Sequence, residues 1–96
     1  MAEMKKTILK IFVTGDGPTS QKAIKNLHAL CAQSTHECTI DVVNIKDAPD
    51  AARNAHIVVT PTVIKDTPGP TRRFVGDLSE TKHVMKQLGI ESVAEH

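Results

Sequence analysis

Apolar residues recur along this chain with two periods, about two and about three and a half. Residues 7–14 form a β-branched, apolar run that ends at Gly15-Asp16-Gly17-Pro18, the pattern of a buried strand followed by a turn. Pro18 suits the first turn of a helix, where its missing N–H is not needed. Over residues 19–33, Ala23, Ile24, Leu27, Leu30, Cys31 and Ser34 share one face at helical spacing. Lys22, Lys25, Asn26 and Gln33 fall on the other. Asp16 is expected to cap this helix, and Cys31 to pack as a small hydrophobe. Thr35-His36-Glu37 breaks the period. Residues 39–45 read as a second strand with Ile40, Val42 and Asn44 on one face. A short helix over residues 50–55 follows, with Pro49 in its first turn and Ala51, Ala52 and Ala55 as a small-residue face.

His56-Ile57-Val58-Val59 then runs into Thr60-Pro61. Proline within a strand is confined to edges, starts and bulges, so the third strand is expected to begin at Pro61 and to run to Lys65. Asp66-Thr67-Pro68-Gly69-Pro70 reads as a turn. Residues 71–75 form a fourth strand antiparallel to the third. Gly76-Asp77-Leu78 leads to Ser79 as N-cap of a last helix, whose inward face is Val84, Met85 and Leu88. Gly89 suits the C′ position, and residues 91–96 read as a frayed tail. The order β-α-β-α-β-β-α, opening with a right-handed parallel unit, matches the thioredoxin fold, a mixed α/β class.

The length of 96 residues predicts one domain over residues 1–96. Val, Ile, Leu and Phe together number 24, too many for a disordered chain at a net charge of +1. That charge, with Phe12 and Phe74 as the only aromatic residues, argues against nucleic acid, whose readers rely on basic surfaces and exposed rings. No apolar run approaches a membrane span. Residues 1–6 lead directly into a strand pattern without a signal-peptide core, so a cytoplasmic protein is expected.

Candidate chemistry is sparse. In thioredoxins the reactive Cys-x-x-Cys lies between the first strand and the helix; here that place holds Asp16-Gly17-Pro18-Thr19, with no sulfur to exchange. Cys31 and Cys38 match neither a zinc knuckle nor a redox pair, since one falls on a helix face and the other just before a strand. The five histidines, at 28, 36, 56, 83 and 96, show no metal-ligand spacing. Gly15-Asp16-Gly17 lacks the rest of any phosphate-binding motif. Adjacent arginines Arg72 and Arg73 must face opposite sides of their strand, so one at least points to solvent. An acidic partner surface and protection of a strand edge are equally good explanations.

Three segments carry a more specific signal. Lys10-Ile11-Phe12-Val13-Thr14-Gly15-Asp16-Gly17-Pro18-Thr19-Ser20 resembles the first strand and Gly-Asn-x-Pro-x-Ser turn of the KaiB family. Val59-Thr60-Pro61-Thr62-Val63-Ile64-Lys65 resembles its Ala-Thr-Pro-Thr-Leu-x-Lys segment. Arg72-Arg73-Phe74-Val75-Gly76-Asp77-Leu78-Ser79 resembles its Arg-Arg-Ile-Ile-Gly-Asp-Leu-Ser. The resemblance implies a small, non-catalytic partner of the KaiC ATPase ring, without a cofactor, acting in a circadian, clock-like or stress-response system and able to recruit a further clock or signalling protein. It also implies a metamorphic chain with an alternative β-α-β-β-α-α-β ground state, dimeric or tetrameric, beside a monomeric thioredoxin-like state. Near-degenerate packings of one sequence are physically possible when they differ by a few kcal/mol. Residues implied in partner binding are Lys22, His56, Arg72 and Arg73; those implied in structure are Asp16, Pro18, Pro61, Gly76, Asp77, Gln87 and Gly89.

The chain departs from the family pattern in several places. His56 replaces a lysine, Lys22 a commoner arginine, Phe12 a frequent tyrosine, Gln87 a glycine and Gly89 an aspartate, and the triple proline is Pro68-Gly69-Pro70. Glycine inside a helix costs roughly 1 kcal/mol, so Gln87 is expected to favour the thioredoxin-like state. In that state Thr60–Pro61 is expected to be cis. The rival functions are a thiol oxidoreductase, which the missing Cys-x-x-Cys disfavours, and the sensor domain of a histidine kinase.

Overall fold

A computed structural model describes residues 6–67 and 69–91. Its elements are β1 (Lys6–Val13), α1 (Pro18–Ala32), β2 (Glu37–Asn44), α2 (Pro49–Asn54), β3 (Thr62–Thr67), β4 (Arg72–Val75) and α3 (Thr81–Leu88). This is the expected β-α-β-α-β-β-α order. Boundaries move by one or two residues, and the N-cap of α3 moves from Ser79 to Glu80. Pro68 and the greater part of the tail, residues 92–96, lie outside the described residues.

The four strands lie in the order β2-β1-β3-β4. β1 and β2 run parallel, Lys6 opposite Glu37 through Val13 opposite Asn44. β3 runs antiparallel to β1, and β4 antiparallel to β3. Residues alternate between the two faces of a strand, so β1 serves two cores. Leu9, Ile11 and Val13 face a main core with Ala23, Leu27 and Leu30 of α1, Val63 of β3, and Val84, Met85 and Leu88 of α3. Phe12 faces a smaller core with Ile64 and with Ala52 of α2. The main core holds most of the folding energy, at about 1.5–3 kcal/mol for each fully buried Leu, Ile or Val. The short α2 covers only part of its face.

Helix boundaries follow local chemistry. α1 begins at Pro18, with Gly17 as N-cap and no side-chain cap. The expected cap by Asp16 is therefore corrected: Asp16 stands one residue outside the cap position, and its backbone carbonyl accepts a 3.5 Å bond from Gln21 Nε2. The expected Ser79 cap is corrected likewise. The N-cap of α3 is Glu80, and the Ser79 N–H is taken by Asp77 Oδ1 at 3.0 Å. α3 ends as expected at Gly89, whose φ of 72° is left-handed. Gly89 N–H donates to Lys86 O at 3.3 Å and Ile90 N–H to Met85 O at 2.9 Å, the pair of bonds that satisfies the last carbonyls and turns Ile90 back into the core. Val42, expected to share a face with Ile40 and Asn44, is 44% exposed because β2 is an edge strand left partly uncovered at that point. Thr60–Pro61 is cis, as expected. Residues 62–67 are strand rather than helix, which gives the chain a thioredoxin-like arrangement. No described helix is long and apolar enough to cross a membrane.

Candidate functional site

Strand directions bring three loops to one end of the sheet. β1 ends there, β3 starts there with Thr62 opposite Phe12, and β4 ends there with Val75 opposite Thr62. The loop after β1 (residues 14–17), the loop from α2 to β3 (55–61) and the loop after β4 (76–80) are consequently neighbours. Hydrogen bonds tie them together. Thr14 Oγ1 and Thr60 Oγ1 share one at 2.7 Å, Gly76 N–H donates to Pro61 O at 3.0 Å, and Asn26 Nδ2 of α1 donates to Asp77 O at 2.8 Å. The first loop is further held by Ser20 Oγ donating to Thr14 O and by Gly15 N–H donating to Asn44 Oδ1.

Backbone strain marks the same end. His56 has φ 56° and Leu78 φ 66°, both left-handed and neither glycine. Such positions persist only where surroundings over-determine them. Leu78 is held by burial in the main core. His56 is held by Arg73, whose guanidinium donates to Ala55 O at 2.9 Å and to His56 O at 3.3 Å across the end of α2. Gly76, at φ 139°, also lies close to Phe74: an added Cβ would meet the Phe74 ring at 3.2 Å. This is the physical reason for glycine there.

The implied partner-binding residues are only partly brought together. Lys22, in the first half of α1, pairs with Asp77 (Nζ to Oδ2, 3.5 Å) and remains exposed. His56 is exposed at the end of α2, and the Arg73 guanidinium reaches the same place. Arg72 does not join them. Its side chain runs past Gly89 at the far end of α3, on the opposite face of the sheet from Arg73. The Asp77 carboxyl lies below its ordinary pKa, first through hydrogen bonds from the Ser79 side chain and N–H, then through the Lys22 ammonium. Its carboxylate thus anchors both the loop and Lys22.

Sequence reasoning missed an exposed apolar pair here. Val58 is 95% and Val59 48% exposed, between α2 and cis-Pro61. The available signal was a run of three β-branched apolar residues, Ile57 to Val59, stranded before a proline that cannot enter a ladder. On the α2 side of the sheet, a groove of about 490 Å³ adjoins His56 and Arg73 and has Phe12 and Ile64 in its floor. The turn at Asp16-Gly17-Pro18-Thr19 occupies the position of a thioredoxin's reactive turn. The two cysteines lie elsewhere, one in α1 and one in β2.

A family model described as the KaiB domain matches residues 10–90. The chain belongs to the KaiB family. The circadian clock protein KaiB3 of Synechocystis sp. is 33% identical over 94 residues, spanning 97% of this chain and 90% of that one. The solution structure of the N-terminal domain of SasA from Synechococcus elongatus superposes with a TM-score of 0.73 and 27% identity, covering 92% of this chain and 84% of that one. The thioredoxin Deadhead of Drosophila melanogaster superposes with a TM-score of 0.68 over 88% of this chain and 80% of that one, at 9% identity. That likeness establishes the thioredoxin-like fold alone. This KaiB protein therefore keeps the thioredoxin architecture, with Asp16 and Thr19 where a thioredoxin's sulfurs stand.

Proposed function

We propose that this KaiB protein is a non-catalytic, cytoplasmic timing regulator that docks on a KaiC-type ATPase ring through the end of the sheet where loops 14–17, 55–61 and 76–80 meet. Membership of the KaiB family across residues 10–90 carries the proposal. The physical character of the surface supports it. Lys22 supplies exposed positive charge, and Val58 and Val59 supply apolar area that the fold leaves uncovered. Interfaces combine an apolar centre with charged residues that set on-rate and register. His56 and Arg73 flank that centre, with Arg73 also fixing the loop that presents it. Arg72 belongs to a different contact, one between copies of this chain in the oligomeric ground state. A further clock protein would share the assembled surface.

The test is size-exclusion chromatography with the KaiC-type ATPase of the same genome, in ATP and in ADP, followed over many hours. Co-elution is expected, with Lys22→Glu weakening it about tenfold or more. The matched reversal Lys6→Glu, at the opposite end of β1, should leave it unchanged. No complex in either nucleotide, with both proteins folded, overturns the proposal.

A further inference from the structure

On its side of the sheet, α2 is too short to cover the strands it packs against. A groove of about 490 Å³ stays open there, within the size range of small-molecule sites. Small side chains make the room: Ala51 and Ala55 of α2 form a wall beside the buried Phe12 of β1 and Ile64 of β3. The floor is therefore apolar, while the rim is polar and mostly basic. Lys10 shares a face of β1 with Phe12 and borders the groove, as do His56 and Arg73. Asp66 is the acidic residue on the lining.

We propose that this groove binds a planar aromatic monocarboxylate. Three features of its lining select that chemistry. The Arg73 guanidinium is fixed by its bonds to Ala55 O at 2.9 Å and His56 O at 3.3 Å. With its fork turned to the backbone, it offers a ligand its flat face, on which an aromatic ring stacks. The Lys10 ammonium has Asp41 as register partner on β2 yet enters no ion pair among the described residues, so it is available to a carboxylate. Asp66, likewise outside any ion pair among the described residues, repels a second negative charge and so limits the ligand to one.

The two cations play different parts. Arg73 is ordered before any ligand arrives, which lowers the entropy cost of stacking on it. Lys10 is a point charge on a flexible stem and can follow the carboxylate. Both face an open groove, where solvent screening keeps each contribution modest: about fivefold in affinity for the charge contact, and about threefold for the stacking. Val58, Val59 and Lys22 are not on the lining, and only His56 and Arg73 border both this groove and the proposed ring-docking surface. The assignment therefore stands whether or not the protein docks on an ATPase ring.

The test titrates naphthoate into the full-length protein alone and follows its backbone amide NMR signals. Saturable shifts are expected at Lys10, Phe12, Ala51, Ala55 and Ile64, with Leu27 on the other side of the sheet unmoved. Naphthamide, of the same shape without the charge, should bind about fivefold more weakly, and Lys10→Gln should weaken naphthoate by a similar factor. Decalin carboxylate, with the charge but no aromatic ring, should bind about threefold more weakly. Naphthalene dicarboxylate should bind more weakly than naphthoate until Asp66→Asn removes the repulsion. Ala51→Leu, which fills the groove from an exposed position on α2, should abolish binding while signals from the main core stay in place. No saturable shift at millimolar naphthoate, shifts centred outside the groove, equal binding of naphthoate and naphthamide, or binding unaffected by Lys10→Gln and Ala51→Leu overturns the proposal.

Discussion

Replacing Gly89 by alanine places a side chain on a backbone held at φ 72° and ψ 36°. A non-glycine residue in that region costs about 1–2 kcal/mol, since Cβ crowds the following carbonyl. The added atom also comes to 3.4 Å from Arg72 Nε and 3.6 Å from Arg72 Cδ. That part of the cost is small, because the long Arg72 side chain can swing away. The loss lands on α3, whose end bonds return Ile90 to the main core beside Met85. Against a total stability of about 5–15 kcal/mol, a loss of 1–2 kcal/mol is a large fraction. It lowers the melting midpoint by roughly 4–8 °C for each kcal/mol in a domain of this size. Urea and thermal unfolding followed by circular dichroism read the change. Gly89→Asn should fall between wild type and Gly89→Ala, because asparagine tolerates the left-handed region. Gln87→Ala, on the exposed face of α3, should change little. Equal stabilities for wild type and Gly89→Ala, or a Gly89→Asn protein less stable than Gly89→Ala, would refute the conformational explanation.

Leu27 is fully buried between α1 and the sheet, so Leu27→Ala should cost about 2–5 kcal/mol, read as a fall in urea midpoint at unchanged slope. Asp77 has a lowered folded pKa, so its contribution is present above the ordinary carboxylate value of 3.8 and disappears as pH falls through the lowered one. Asp77→Asn should therefore be less stable than wild type near neutral pH and equal to it in acid; a gap that persists unchanged into acid would contradict this. Insulin disulfide reduction should not exceed a buffer control, since Asp16 and Thr19 stand where the reactive sulfurs would be; turnover abolished by Cys31→Ser would contradict it.

The fold was legible because its signals are local. Pro18 opened α1, the 3–4 spacing of Ala23, Leu27 and Leu30 gave its buried face, and Gly89 closed α3. The strand limit at Pro61 followed from its missing N–H, and β3 begins one residue later. What escaped was set by tertiary arrangement. Asp16 has no capping role because the N-cap position falls on Gly17, and Ser79 has none because α3 is entered from Glu80 while the Ser79 side chain and N–H both bond Asp77. The separation of Arg72 from Lys22 and His56 depends on which face of β4 each arginine occupies, and alternation states only that the two differ. The Lys22–Asp77 pair joins residues 55 positions apart, and no periodicity links them. Cys38 falls inside β2 and not before it, because β2 starts at Glu37, two residues earlier than its hydrophobic pattern suggested. The family resemblance supplied the partner class that these local signals cannot.

Binding to the ATPase ring bears most directly on the proposed role. Purified full-length protein and the KaiC-type ATPase of the same genome, mixed in ATP or ADP and sampled over a day, should yield a complex by size-exclusion chromatography. Val58→Asp should abolish that complex while leaving the circular dichroism spectrum and melting midpoint unchanged, because Val58 is almost wholly exposed. A complex equally stable with Val58→Asp and with Lys22→Glu would contradict the assigned surface, and no complex at all would contradict the proposed function.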